Sequence, residues 1–187
     1  NWKDFATDLL SIPMAHEVIG YYTVADSADG VLKVMRSYQY YAANAISDRV
    51  AQNKWEEGNQ RGGYVAHTTG SGKTMTSFKS AQMIAYSGDA DKVVLLSKLK
   101  SDDPADTLIV TSIQKMSNIK EEDRGLNLKD IEKINKKRIA FIVDEAHRST
   151  FGEMLITIKE TFPNAIFFGF TGTPIQNENQ KKMKKKL

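Results

Sequence analysis

The sequence predicts an α/β fold, a mostly parallel β-sheet flanked by helices, of the nucleotide-binding type. Three observations carry that expectation. Five short apolar runs (Tyr64 to Ala66, Lys92 to Leu96, Thr107 to Thr111, Ile139 to Val143, Ile166 to Phe170) alternate with helical or polar stretches, the pattern of strands joined by crossovers. The first run opens into a glycine-bearing turn, and Met75 to Tyr86 beyond it reads as a helix. The fourth run lacks Gly and Pro and delivers Asp144-Glu145-Ala146-His147 at its end. Such a run suits a strand buried on both faces of a parallel sheet.

Taken in order, residues 1–35 hold apolar residues such as Phe5, Ile12 and Val18 but no catalytic constellation. Pro13 is expected to break any helix begun at Trp2, and Val31 to Val34 fits a short strand. From Arg36 to Val50, apolar positions at Tyr38, Tyr41-Ala42, Ala45-Ile46 and Val50 predict an amphipathic helix. Gln39, near its start, is either a solvent-facing polar residue or an amide placed to hydrogen-bond an adenine edge. Gly58 to Gly63 is a turn or loop.

The turn after the first strand reads Ala66-His67-Thr68-Thr69-Gly70-Ser71-Gly72-Lys73-Thr74. A strand, a glycine turn and a helix is the setting in which Gly-Lys-Thr binds phosphate. Gly70 and Gly72 let the backbone curl so that N–H groups converge, and the helix N-terminus adds partial positive charge. Lys73 would reach the β- and γ-phosphates, and the Thr74 hydroxyl would ligate Mg²⁺. The strict pattern has glycine four residues ahead of Ser71, where His67 stands.

Downstream, Asp144 falls at the carboxyl end of its strand, where open α/β sheets bind ligands. A carboxylate there can hold Mg²⁺, and the neighbouring Glu145 can position or deprotonate an attacking water. Residues 120–138 are charge-rich and fit a surface helix or loop. The last run ends in Thr171-Gly172-Thr173-Pro174.

With 187 residues, 41% of them hydrophobic, the chain can bury one substantial core. A net charge of +3 permits nucleic-acid binding without arguing for it. The absence of cysteine excludes a disulfide framework and a thiolate metal site. No apolar run approaches the ~20 residues of a membrane span, so a soluble, cytoplasmic protein without a membrane partner is expected.

With Gln39, the phosphate loop, Thr111-Ser112-Ile113-Gln114-Lys115, Asp144-Glu145-Ala146-His147 and Thr171-Gly172-Thr173 in this order, the chain resembles the first RecA-like motor domain of a superfamily 2 helicase or translocase. The wording of His67 to Thr74, Ile109 to Lys115, Asp144 to Ser149 and Gly169 to Ile175 is similar to that of the restriction (R) subunit of type I restriction enzymes. The resemblance covers about residues 36–175. It implies a RecA-like P-loop NTPase fold whose ATP hydrolysis, with Mg²⁺, drives translocation along double-stranded DNA before cleavage, in complex with modification and specificity subunits. Matched by motif, Gln39 would read adenine, and Thr69, Gly70, Ser71, Gly72, Lys73 and Thr74 would hold the phosphates. Thr74 and Asp144 would bind Mg²⁺, Glu145 would activate water, and Asp144, Glu145 and Lys73 form the catalytic set. His147, Thr171, Gly172 and Thr173 would couple the nucleotide to DNA, and Thr111, Ser112, Gln114 and Lys115 would lie along the DNA track.

Between Leu95 and Asp106 the family's early DNA-contacting motif is not found, and the interval is short. The chain starts at Asn1 without an initiator Met and ends in lysines soon after a motif. It therefore reads as a fragment, with a lead-in at 1–35, a motor domain at 36–180 and a lysine-rich tail at 181–187 leading to a second motor domain. Without that second domain's arginine, the fragment alone is expected to bind ATP and scarcely hydrolyse it. Another superfamily 2 DNA or RNA helicase, a nucleotide-binding scaffold without turnover, and a plain nucleic-acid-binding module are the competing readings.

Overall fold

The computed structural model describes the whole chain except residues 27–29, 58–61, 98–106, 118–127, 147–148 and 173–187. The chain divides into two compact units, Asn1–Ala42 and the remainder from Ala43.

The first unit opens with helix α1 (Trp2–Leu10), whose first turn is capped by the Asn1 side chain accepting from the Lys3 N–H at 2.8 Å. A helix begun at Trp2 does stop, but at Ser11. Pro13 then lies in the first turn of α2 (Ile12–Gly20), where a missing N–H and a fixed φ cost nothing. Strands β1 (Thr23–Asp26) and β2 (Val31–Val34) pair antiparallel, with Thr23 opposite Val34. The division between units falls inside α3 (Ser37–Ala51), where a helix is expected. Its buried residues, however, are Gln39, Ala43, Ile46 and Val50, while Tyr38, Tyr41 and Ala45 of the expected apolar face are exposed and Gln39 does not face solvent.

The second unit is a five-stranded, wholly parallel sheet. Its strands are β3 (Gly63–Ala66), β4 (Lys92–Leu96), β5 (Leu108–Thr111), β6 (Ile139–Val143) and β7 (Ile166–Thr171). They correspond to the five apolar runs, in the spatial order β3-β7-β6-β4-β5. Every residue of β6 and β7 is buried, which is why these two read as unbroken apolar runs.

Successive side chains of a strand point to opposite faces, and the core splits accordingly. On one face Val93, Leu95, Ala140, Ile142, Ile166 and Phe168 pack with Ala81 and Ile84 of α4 (Lys73–Ser87) and with Ile46 and Val50 of α3. On the other, Val94, Leu96, Phe141, Val143 and Phe167 pack with Ile113 of α5 (Ile113–Ser117) and with Leu155 and Ile158 of α7 (Ser149–Thr161). Phe141 and Phe167 stack there at 4.7 Å between centroids. The charge-rich region supplies α6 (Leu128–Asn135). α4 ends at Gly88, whose φ of 79° is the left-handed conformation that glycine adopts without strain. Opposite the site's edge, Arg138 ties the start of β6 to Asp91 ahead of β4, its Nη2 donating to Asp91 Oδ1 at 2.8 Å.

Candidate active site

Because all five strands run the same way, the carboxyl ends of β3, β6 and β7 emerge along one edge. β3 ends at Ala66, and after six intervening residues α4 begins at Lys73. Within that turn Gly70 and Gly72 have φ of 79° and 78°. An L side chain at either position would meet its own backbone, so glycine is required to make the curl. Ser71 N–H donates to the Thr68 carbonyl at 3.2 Å and closes the turn. Lys73 is buried, 8% exposed, and its Nζ lies 3.5 Å from the Thr68 carbonyl oxygen. Burial first, and then the Lys73 ammonium, push the His67 imidazole below its ordinary 6.5. At neutral pH it is therefore uncharged beside the lysine.

β6 brings Asp144 to the same edge, 6% exposed. Thr74 Oγ1 donates to Asp144 Oδ2 at 2.9 Å across 70 residues of sequence. The other oxygen of Asp144 accepts the Glu145 N–H at 3.0 Å, and the Asp144 N–H donates to the Leu96 carbonyl of β4 at 3.0 Å. Glu145 has a φ of 56°, the one non-glycine residue with positive φ among the described residues. The Ala146 N–H holds it by donating to the Phe170 carbonyl of β7 at 2.8 Å. Backbone strain of this kind persists where the surroundings over-determine it, and it gathers at functional sites.

β7 completes the edge. Thr171 is buried, and its carbonyl accepts the His67 N–H at 2.9 Å. The next residue, Gly172, stands against the phosphate loop: a Cβ built on it would lie 2.9 Å from Lys73 Nζ and 3.5 Å from Thr69 Oγ1. Three segments remote in sequence thus meet at Lys73, Thr74 and Asp144.

Thr111 ends β5, at the far side of the sheet order from β3. Ser112 Oγ accepts the Lys115 N–H at 3.3 Å and so caps α5, while Gln114 and Lys115 are exposed. Gln39 belongs to the first unit, where its Oε1 accepts the Arg36 N–H at 2.8 Å and its own N–H donates to the Arg36 carbonyl at 2.9 Å. This reciprocal pair caps the start of α3. His147 and Thr173 lie outside the described residues. The motif reading did not single out Thr68, whose carbonyl serves both Ser71 and Lys73. A backbone acceptor leaves no mark on residue type, so no sequence signal was available.

One hydroxyl and one carboxylate oxygen 2.9 Å apart fit Mg²⁺, which keeps most of its shell for water and phosphate oxygens. A lysine at the N-terminus of α4, beside two left-handed glycines, fits the phosphates themselves.

The family model of the SWI2/SNF2 ATPase matches residues 38–98 and 95–186. A relative from Staphylococcus aureus (strain COL), the endonuclease subunit of the type I restriction enzyme SauCOLORF180P, is 35% identical over 207 aligned positions covering 95% of this chain. A second, the C-terminal part of the MpnIIP type I restriction endonuclease subunit of Mycoplasma pneumoniae, is 33% identical over 86% of this chain and 93% of its own. The chain belongs to the SWI2/SNF2 ATPases of the type I restriction endonuclease subunits. It spans 21% of the length of the S. aureus subunit. The type I subunit from Haemophilus influenzae is 27% identical over 83% of this chain and 19% of its own.

The two matches to the SWI2/SNF2 model meet at residues 95–98, where β4 ends. The alignment to the S. aureus subunit is longer than this chain's 187 residues, so that subunit carries residues that have no counterpart here. Among the described residues, no helix is long and apolar enough to cross a membrane.

Proposed function

We infer that this chain is the ATP-binding motor domain of a type I restriction enzyme's endonuclease subunit, using ATP hydrolysis to translocate double-stranded DNA. The observation that carries the reading is the Thr74–Asp144 hydrogen bond, which sets the hydroxyl of the phosphate loop against the carboxylate at the end of β6. Mg²⁺ bound with the nucleotide would neutralise phosphate charge as it develops. Lys73 holds the β- and γ-phosphates, with the loop from Thr69 to Thr74 around them. Glu145, next to Asp144, takes the proton of the attacking water. Gln39 is assigned the adenine edge. His147, Thr171, Gly172 and Thr173 carry the response toward DNA. Thr111, Ser112, Gln114 and Lys115 supply short hydroxyl, amide and ammonium groups that grip a phosphate backbone without reading bases, as a motor on any sequence requires. Modification and specificity subunits are the proposed partners, in the cytoplasm.

The test is ATP hydrolysis by the full-length subunit assembled with those partners. It is run without nucleic acid, with duplex DNA bearing or lacking the recognition site, and with RNA. Strong stimulation by the site-bearing duplex alone is expected, abolished by Lys73→Ala. Glu145→Gln should keep ATP binding and lose turnover by a factor of about 10²–10⁴. Equal stimulation by RNA would make the protein a general helicase. Absence of turnover under every condition would leave a nucleotide-binding scaffold.

A further inference from the structure

Gly172 occupies a place where a glycine's missing side chain, and not its backbone freedom, is what the structure uses. Positive φ among the described glycines is found at Gly30, Gly70, Gly72 and Gly88, so alanine suits the backbone of Gly172. Space is the constraint. The nearest atoms to a built Cβ are Lys73 Nζ at 2.9 Å, Lys73 Cε at 3.4 Å and Thr69 Oγ1 at 3.5 Å. The residue cannot drift away from them easily. Its neighbour Thr171 is 1% exposed, and the Thr171 carbonyl is bonded to the His67 N–H at the mouth of the phosphate loop.

The crowded atoms are the free end of a flexible side chain. A methyl group at 172 would therefore be accommodated by moving the ammonium, at little cost to the fold. Lys73 is buried, and its ammonium lies 3.5 Å from the Thr68 carbonyl oxygen, so a displaced ammonium leaves that place. The function of the glycine follows from that. The carboxyl end of β7 forms one wall of the slot in which the phosphate-binding lysine lies.

We propose that Gly172 is a positioning residue that sets where the Lys73 ammonium stands, so that the end of β7 acts on the nucleotide through van der Waals contact with that lysine. This rests on the nucleotide reading given above. It adds a direct physical link between the Thr171-Gly172 end of β7 and the phosphates. β7 lies between β3 and β6 in the sheet, so a small displacement of its end would reach the lysine without passing through any other side chain.

The experiment is a double-mutant cycle in the full-length subunit, reading ATP affinity by calorimetry, melting temperature, and kcat with duplex DNA. Gly172→Ala should melt within a degree or two of the parent, yet bind ATP about tenfold more weakly and turn over more slowly. On a Lys73→Ala background the same change should weaken ATP binding no further, because the group it displaces is gone. Gly172→Val, with more volume at the same place, should weaken ATP binding more than Gly172→Ala. Unchanged ATP affinity in Gly172→Ala, or an equal loss with and without Lys73, would overturn the proposal. So would a fall in melting temperature large enough to account for the lost affinity. If Lys73→Ala itself leaves ATP affinity intact, the nucleotide reading fails as well, and the two failures are told apart.

Discussion

Lys159, on α7, holds its ammonium 5.2 Å over the Phe167 ring, and burial lowers its pKa from 10.5 to about 8. Below pH 8 the lysine is charged in both folded and unfolded chains, and the folded state carries the whole cost of burying that charge. Between pH 8 and 10.5 the unfolded chain binds more protons than the folded one, so this group makes stability rise with pH. Lys159→Met keeps the length of the side chain and removes the charge. Its advantage over the parent in urea unfolding should be greatest at pH 7 and should shrink when the pair is compared at pH 9.5. A pH-independent difference would show that the ammonium reaches water in the folded state. No residue type signals this pKa, because it arises from what α7 packs against. Lys73, Thr74, Asp144 and Glu145 could be singled out from the sequence because the proposed phosphate and metal chemistry restricts which side chains serve at which spacing, and the structure brings Thr74 and Asp144 to 2.9 Å. The positive φ of Glu145 and the crowding of Gly172 by Lys73 were not legible, since each is created by a segment distant in sequence.

At the scale of elements, the strands announced themselves best where both faces are covered. β6 and β7 need apolar side chains at every position and so read as runs without a break. The break between α1 and α2 was placed near Pro13, whereas proline opens the second helix and the chain bends at Ser11. Gly62 shows what the loop reading of its surroundings could not contain. Its surroundings read as a glycine-bearing turn, but its Cα faces the backbone of β7, and an added Cβ would stand 1.7 Å from the Phe167 carbonyl oxygen and 2.6 Å from its carbon. Backbone cannot yield as a lysine tip does. Gly62→Ala should therefore separate the β3 edge from β7 and cost about 3 kcal/mol or more, measured as a lower unfolding midpoint in urea. Gly172→Ala provides the contrast: its added Cβ would come no nearer than 2.9 Å, and the atom it meets is the end of a flexible side chain. Equal stability losses in the two variants would contradict this account of which neighbours can move.

At the scale of the whole molecule, the strand order β3-β7-β6-β4-β5 performs the assembly that no local pattern specifies. The chain leaves β3 for β4 across the sheet and then returns through β6 and β7. That return places the Thr171-Gly172 end beside the phosphate loop and Asp144 within 2.9 Å of Thr74. The sequence announced the motifs and their order; it could not announce which strands adjoin, because parallel crossovers of similar length permit several orders. A site assembled from three strand ends links ligand binding to the stability of the sheet that holds them. ATP with Mg²⁺ at one hundred times its dissociation constant should stabilise the folded chain by about 2.7 kcal/mol. For a chain of this size that corresponds to a rise of roughly 5–10 °C in melting temperature. The rise should depend logarithmically on ATP, should require Mg²⁺ for its full extent, and should vanish in Lys73→Ala. A rise that survives Lys73→Ala would mean that the nucleotide stabilises the chain from some other surface, and that the convergence of β3, β6 and β7 is not where it binds.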